Sequence, residues 1–344
     1  MLMRRIMYTF LVLGLIMGIN LSFAQADVQA EYNAKIQKAN EIRAEMGEAG
    51  ITKERYEELN AQYQAITKEL EQLKSKLSAD AEYQEKMNNA KKAFNEGNTA
   101  FKKGQYETAL ENYNQAVSLN ESYPQALYGK GLALVRLRRY DDAIQAYQAA
   151  VEIDPGYAAA WSAMGAAYSR AGNNDAAIES YVKAVETDPN SATTLYNLGT
   201  AYLRIKDNQK AINALTRATQ VDPEYSKAYN SLGVAHVNAG NYDQAIMAFS
   251  NAVSIDSDYD EAWARMASAY NEIGQTSEAL NAAEKVTSKS GRSNYKPLAH
   301  LEKGIALQKM DRDQEAIQAF EQAGRDRRYS KLANWHIEEI KAGR

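Results

Sequence analysis

The sequence predicts an all-α fold in which helix pairs stack as a solenoid behind an N-terminal helical hairpin or coiled coil. Small residues carry the first sign of it. With Gly97 as marker, the chain returns Gly131, Gly165, Gly199, Gly233 and Ala267 at intervals of 34, then Gly304 after an insertion of three. Two more series keep step, from Ala109 through Ala143, Ala177, Ala211, Ala245 and Ala279 to Ala316, and from Ala116 through Ala150, Ala184, Ala218, Ala252 and Val286 to Ala323. Three registers of small residues at one interval mean repeated close helix contacts. Ahead of them apolar residues alternate at spacings of three and four, and only five prolines occur in 344 residues.

The chain opens MLMRRIMYTFLVLGLIMGINLSFAQA, with Arg4 and Arg5 before an apolar run and Ala24-Gln25-Ala26 after it. These are the three parts of a secretory signal peptide, so residues 1–26 are expected to be removed. The alternative is an uncleaved membrane anchor, for which Ile6 to Ala24 is barely long enough. The expected location is the bacterial periplasm, or the medium if the chain is secreted, with no stable membrane insertion once the signal is cleaved. Losing Arg4 and Arg5 and no acid takes the formal net charge from −4 to −6, which argues against nucleic acid as a partner. Cysteine is absent, which excludes disulfides, thiolate metal sites, a thiol nucleophile and a lipid-modified N-terminal cysteine.

Residues 27–79 read as a helical hairpin or coiled coil. In TKERYEELNAQYQAITKELEQLKSKL, residues 52–77, a heptad seam is formed by Tyr56, Leu59, Tyr63, Ile66, Leu70, Leu73 and Leu77. A weaker stripe of Tyr32, Ile36, Ala39, Ile42 and Met46 precedes GEAG at 47–50, where glycines favour a reversal. Either the two helices fold back on each other, or the leucine-rich helix pairs with copies of itself and makes a homo-oligomer through residues 52–77. Asp80 is expected to cap a third helix that leads into the first repeat.

From residue 80 to 325 each interval reads as two helices, such as AAWSAMGAAYSRAG (159–172) and NDAAIESYVKAVETD (174–188). The small residue of the first lets the second approach, while Trp161, Met164, Tyr168, Ile178 and Tyr181 fill the seam at helical spacing. Pro155, Pro189 and Pro223 each follow Asp just past a second helix, which proline cannot continue. This frame of large residue, Leu-Gly, Tyr, Ala, aromatic, Ala and Pro resembles the tetratricopeptide repeat family, most closely at Trp161-Ser-Ala-Met164-Gly165 and Leu195-Tyr-Asn-Leu198-Gly199. Departures are Glu121 and Ser257 where Pro is usual, Ala283 and Val286 in the sixth repeat, and KVTSKSGRSNYKP, which is expected to loosen the junction before the seventh. The resemblance implies a right-handed superhelical solenoid of about seven repeats, each touching its neighbours. Residues 326–344 would then be a capping helix covering the last repeat with Leu332, Trp335 and Ile340. The order of signal peptide, coil and repeats is loosely similar to that of the periplasmic cell division coordinator of the Tol-Pal system.

Little in the chain suggests catalysis. His236 and His300 stand at positions that hold Tyr or Trp in other repeats, and His336 sits beside Trp335 in the capping helix, so all three read as packed side chains. Phosphate loops, paired histidines and nucleophile motifs are missing from the sequence. Asp141-Asp142 and Glu338-Glu339 suit helix starts and exposed faces. Neither an enzymatic activity nor a cofactor is expected.

The family resemblance implies a protein or peptide partner held in the groove that the first helices line. It places Phe94, Asn98 and Phe101 there from the first repeat, and Tyr128, Leu132, Val135 and Arg136 from the second. Arg170 follows from the third, Tyr196 and Arg204 from the fourth, Asn230 and Asn238 from the fifth. Phe94, Tyr128 and Tyr196 are expected to point outward at a position that folding leaves free. Arg136, Arg170 and Arg204 form either a solvated face or a ladder for carboxylates. One subclass clamps a partner's C-terminal carboxylate, but of the matching positions here (Phe94, Asn98, Gly129, Ala159 and Ala163) only Asn98 fits. The function expected is a non-enzymatic interaction scaffold of the cell envelope, or alternatively an assembly subunit that oligomerises through its coil.

Overall fold

The structure is a computed structural model that describes residues 23–48 and 50–343. The signal peptide expected over residues 1–26 lies outside them except for residues 23–26, which begin the first helix. Among the described residues there are sixteen helices and no strand. They fall into two compact units, one running to Glu96 and including Gln115–Glu121, the other comprising Gly97–Asn114 and Ser122–Arg344.

In the first unit α1 (Phe23–Met46) and α2 (Lys53–Lys102) form an antiparallel hairpin. Gly50 turns the chain at φ 96°, a left-handed conformation that glycine adopts without a Cβ clash. The Thr52 hydroxyl then accepts from the Arg55 amide at 3.2 Å and starts α2. Ala39 and Ile42 pack on Leu59 and Ile66, with Met46, Tyr63 and Leu70 around them. The register is set by ion pairs of Lys35 with Glu69 and of Arg55 with Glu45, the latter at 2.8 Å. Each raises the pKa of its cation, chiefly through the side-chain hydrogen bond. Every seventh residue of the seam, Leu59, Ile66 and Leu73, is buried, and Tyr56 stays exposed. The expected break at Asp80 does not occur. No Gly or Pro stands between Lys53 and Glu96, so α2 runs through Ser78-Ala79-Asp80 for 50 residues.

In the second unit the repeats stack in chain order. First helices are the end of α2, α4 (Pro124–Arg136), α6 (Ala158–Ala171), α8 (Ala192–Arg204), α10 (Ser226–Asn238), α12 (Asp260–Glu272) and α14 (Lys296–Lys309). Second helices are α3 (Tyr106–Leu119), α5 (Tyr140–Ile153), α7 (Asn174–Thr187), α9 (Asn208–Val221), α11 (Tyr242–Ile255), α13 (Thr276–Thr287) and α15 (Asp313–Ala323). The marker glycine of each pair faces a large side chain sixteen residues on. A Cβ on Gly131 would lie 2.4 Å from the Tyr147 ring, on Gly165 2.8 Å from Tyr181, and on Gly233 2.5 Å from Phe249. The sixth repeat exchanges both members, Ala267 and Ala283, and both remain fully buried. Its departure from the pattern is therefore compensated within the pair.

Turns and junctions are equally periodic. The chain takes positive φ between the helices of each pair, at Gly104, Arg138, Gly172, Lys206, Gly240, Gly274 and Asp311. Past α5, α7, α9 and α11 an aspartate accepts from the amide two residues on: Asp154 at 3.0 Å, Asp188 at 3.2 Å, Asp222 at 3.0 Å and Asp256 at 3.1 Å. The turn forms at Asp256 although Ser257 replaces proline there. The insertion before the seventh repeat is not loose, because Lys289 pairs with Asp260 at 2.6 Å and Asp258 at 3.0 Å. Helix α16 (Ser330–Lys341) closes the described chain. It covers α15 with Ala333, Ile337 and Ile340, whereas Leu332 and Trp335, expected to do so, are 45% and 55% exposed. The helix is rotated from the predicted face because Ala333, 34 residues after the buried Ala299, keeps the repeat's register.

Candidate peptide-binding face

The residues expected to meet a ligand separate into three groups. Phe94 lies half-buried on α2 in the first unit. In the second unit Asn98 is engaged internally, its Oδ1 accepting from the Tyr113 hydroxyl at 2.7 Å. Asn230 is 4% exposed and hydrogen-bonded to Tyr259, so it presents no surface to a partner.

The second group corrects the expectation that one position is left free by folding. Tyr128 contacts Tyr157 of the next repeat, ring centroids 5.2 Å apart, and Tyr147 at 5.8 Å. Tyr196 meets Tyr225 at 5.1 Å, and the equivalent Ser162 accepts from the Thr194 hydroxyl at 3.1 Å. Asn230 with Tyr259 is the same contact once more. In these repeats the position therefore joins one repeat to the start of the next, at Tyr157, Tyr225 and Tyr259 and, for Ser162, at Thr194. A fourth 34-residue series, Tyr123, Tyr157, Ser191, Tyr225 and Tyr259, signals it in the sequence. Burial raises the phenol pKa of these tyrosines, to about 12 at Tyr259.

The third group remains open to solvent. Arg136, Arg170, Arg204 and Asn238 are exposed, with Leu132 and Val135 half-buried beside them against Leu134, Tyr147 and Met164. Arg136 lies over the Phe101 ring, 5.8 Å from its centroid, and Phe101 meets Tyr106 edge-on at 5.4 Å. The arginines are consecutive along one strip. Burial pushes the Tyr147 phenol up while Arg136 and Arg170 both pull it down, and Tyr181, raised by burial to about 12, feels Arg204 and Arg170 together. Arg204 donates to the Ser169 hydroxyl. Among the described residues none of the three meets a carboxylate.

A family model described as the C-terminal domain of cilia and flagella-associated protein 70 matches residues 157–337, and a tetratricopeptide repeat model matches residues 94–158. The chain belongs to the tetratricopeptide repeat family. Among solved structures, a tetratricopeptide repeat protein from Parabacteroides merdae is 16% identical with a TM-score of 0.52 over 73% of this chain and 98% of its own. Pseudomonas aeruginosa pilF is 20% identical with a TM-score of 0.52, over 65% and 99% respectively. These likenesses establish the fold. No curated protein sequence matches. Tetratricopeptide arrays are characteristically non-catalytic scaffolds for protein interaction, and no described helix is long and apolar enough to cross a membrane.

Two features of this tetratricopeptide array escaped the sequence reading. Glu302 on α14 is 6% exposed, and its Oε2 and backbone carbonyl both accept from Asn271 Nδ2 at 2.9 Å. Burial raises its pKa, against hydrogen bonds from Asn271 and Ser268 and the nearby charge of Lys309. The same register position is Gly129, Ala163, Asn197, Ser231 and Arg265 in the second to sixth repeats, so Glu302 is the acidic residue of that series. The histidines are packed as expected, but His236 and His300 each leave a buried Nδ1 without a partner, and burial lowers both pKa values. His336 Nδ1 lies 2.8 Å from Gln308 Oε1, and its ring stacks on Phe320 at 4.7 Å. Among the described residues no cluster of three metal-ligating side chains occurs.

Proposed function

We propose that the chain is a non-enzymatic scaffold of the cell envelope whose first-helix face holds an extended, acidic segment of a partner protein. The observation that carries this reading is the ladder of Arg136, Arg170 and Arg204, exposed and, among the described residues, without carboxylate partners, beside the partly open apolar surface of Phe101, Leu132 and Val135. Lys102 occupies the same register one repeat earlier, so four successive repeats present a cation there. In the fifth and sixth the position holds Asn238 and Glu272, which gives the strip a charge gradient and the ligand a direction. Adjacent packed helices lie roughly 8–10 Å apart and an extended chain advances about 3.3 Å per residue. Acidic residues spaced about every third position would therefore meet successive arginines, with apolar side chains between them turned toward Leu132 and Val135. Guanidinium groups suit this role because they bind carboxylates in a bidentate fork. The envelope location rests on the signal peptide read from residues 1–26.

Selection from a library of displayed random peptides tests the reading. The wild-type chain is expected to enrich peptides rich in Asp and Glu with interspersed apolar residues. The variant carrying Arg136→Glu, Arg170→Glu and Arg204→Glu should lose that enrichment while keeping its helical content. Equal enrichment by both chains would overturn the assignment of the face.

A further inference from the structure

The residue before the small marker residue is Met164, Leu198, Leu232 and Met266 in the third to sixth repeats, and all four are buried. In the second and seventh repeats it is a lysine, Lys130 and Lys303. Lys303 meets a carboxylate of the preceding second helix, Glu284, at 2.8 Å. The register position of Glu284 holds Asn114 in the first repeat, which leaves Lys130 without that partner. Lys130 is half-buried, and among the described residues its ammonium group forms no ion pair or hydrogen bond.

Lys130 lines a cavity of about 280 Å³ between α3, α4 and α5, whose floor is Leu110, Leu127, Leu134 and Ala146. Two truncations open this space. Leu127 stands where the third and sixth repeats have Trp161 and Trp263, and Ala149 stands where they have Lys183 and Lys285. In the sixth repeat those two side chains meet, with Lys285 Nζ 5.9 Å from the centroid of the Trp263 ring. The second repeat keeps the site and lacks both. Arg139 and Asp142 at its rim cancel each other, 2.7 Å apart, so Lys130 is the uncompensated charge. A cation partly out of water beside apolar side chains is costly without a counter-charge. An apolar cavity of about 150 Å³ already holds benzene, so this one has room for a ring and a short acidic arm. Asn114 and Gln145 also line it, and their side-chain amides can donate to the same carboxylate.

We propose that this crevice binds an aromatic carboxylate, its ring on Leu127 beside Ala149 and its carboxylate on Lys130, as Glu284 sits on Lys303 in the seventh repeat. The site shares no residue with the arginine ladder and stands or falls apart from it.

Isothermal titration calorimetry of the full chain with 3-phenylpropionate and with its uncharged amide tests this. The acid is expected to bind at least about tenfold more tightly than the amide, because it supplies the charge that Lys130 lacks. Asn114→Glu should rebuild the internal pair of the seventh repeat, and Ala149→Lys should refill the cavity as in the third and sixth. Each should weaken binding of the acid at least about tenfold and leave the melting temperature unchanged, since Asn114 is exposed and lysine is the residue of the other repeats. Lys130→Met should bind acid and amide alike. A peptide ending in Phe with a free carboxylate separates the two sources of this chemistry: tighter binding than 3-phenylpropionate assigns the site to a chain terminus, and weaker binding to a free acid. Three results would overturn the proposal: no binding of the acid at millimolar concentration, equal binding of acid and amide by the wild-type chain, or binding of the acid that survives Asn114→Glu.

Discussion

Gly131 and Tyr147 show how single side chains set the spacing of the array. The glycine has no Cβ because a Cβ would stand 2.4 Å from the tyrosine ring, and the ring is 1% exposed with nowhere to move. Gly131→Ala is expected to destabilise the chain by about 1–3 kcal/mol, as overpacking of a filled core does, read as a lower midpoint in urea. Adding Tyr147→Leu, the pairing that Gly199 makes with Leu215, should recover part of the loss. Glu302 supplies a pH dependence of stability. Its folded pKa is raised by burial, so the folded chain holds this proton more tightly than the unfolded chain. The contribution is fully present below the unfolded carboxylate value and is lost as pH rises through the raised one. Glu302→Gln should therefore flatten the decline in melting temperature above about pH 4.5 and leave the variant the more stable at neutral pH. A decline equally steep in both chains would show that Glu302 does not ionise within the fold.

Helix α2 and the turns between helix pairs obey different constraints. The stretch Ser78–Lys86 of α2 is exposed on every side, Tyr83 among it at 59%, and holds its helix only by continuity with the packed segments before and after. Brief proteolysis is expected to cut there first, since local opening needs no loss of core. First cleavage inside α4 to α15 would contradict this. The absence of a break at Asp80 is legible in the lack of Gly and Pro, since one possible cap residue does not end an intact helical run. In the turns, Arg138, Lys206 and Asp311 occupy left-handed conformations that glycine takes in the other repeats. Lys206→Gly should stabilise the chain by about 1 kcal/mol, because a Cβ in that region costs about 1–2 kcal/mol. A lower melting temperature would show that the lysine side chain holds the turn.

For the molecule as a whole, the sequence made the periodicity plain and the surface less so. Repeats, pairings and turns were visible because Gly165, Ala177 and Ala184 recur in fixed register. Whether Tyr128 faces a ligand or the next repeat was not, because both roles ask for an aromatic residue at the same interval, and only its contact with Tyr157 decides. The arginine ladder is exposed and meets no carboxylate among the described residues, which makes it the centre of the proposed function. Fluorescence anisotropy with a labelled, extended peptide bearing Glu at about every third residue tests that account most directly. The chain should bind this peptide and not its Lys counterpart, with an affinity that falls as salt rises and drops at least about tenfold, or about 1.4 kcal/mol, when Arg136, Arg170 and Arg204 become Ala. Equal binding of the two peptides, or binding that survives the triple substitution, would contradict it.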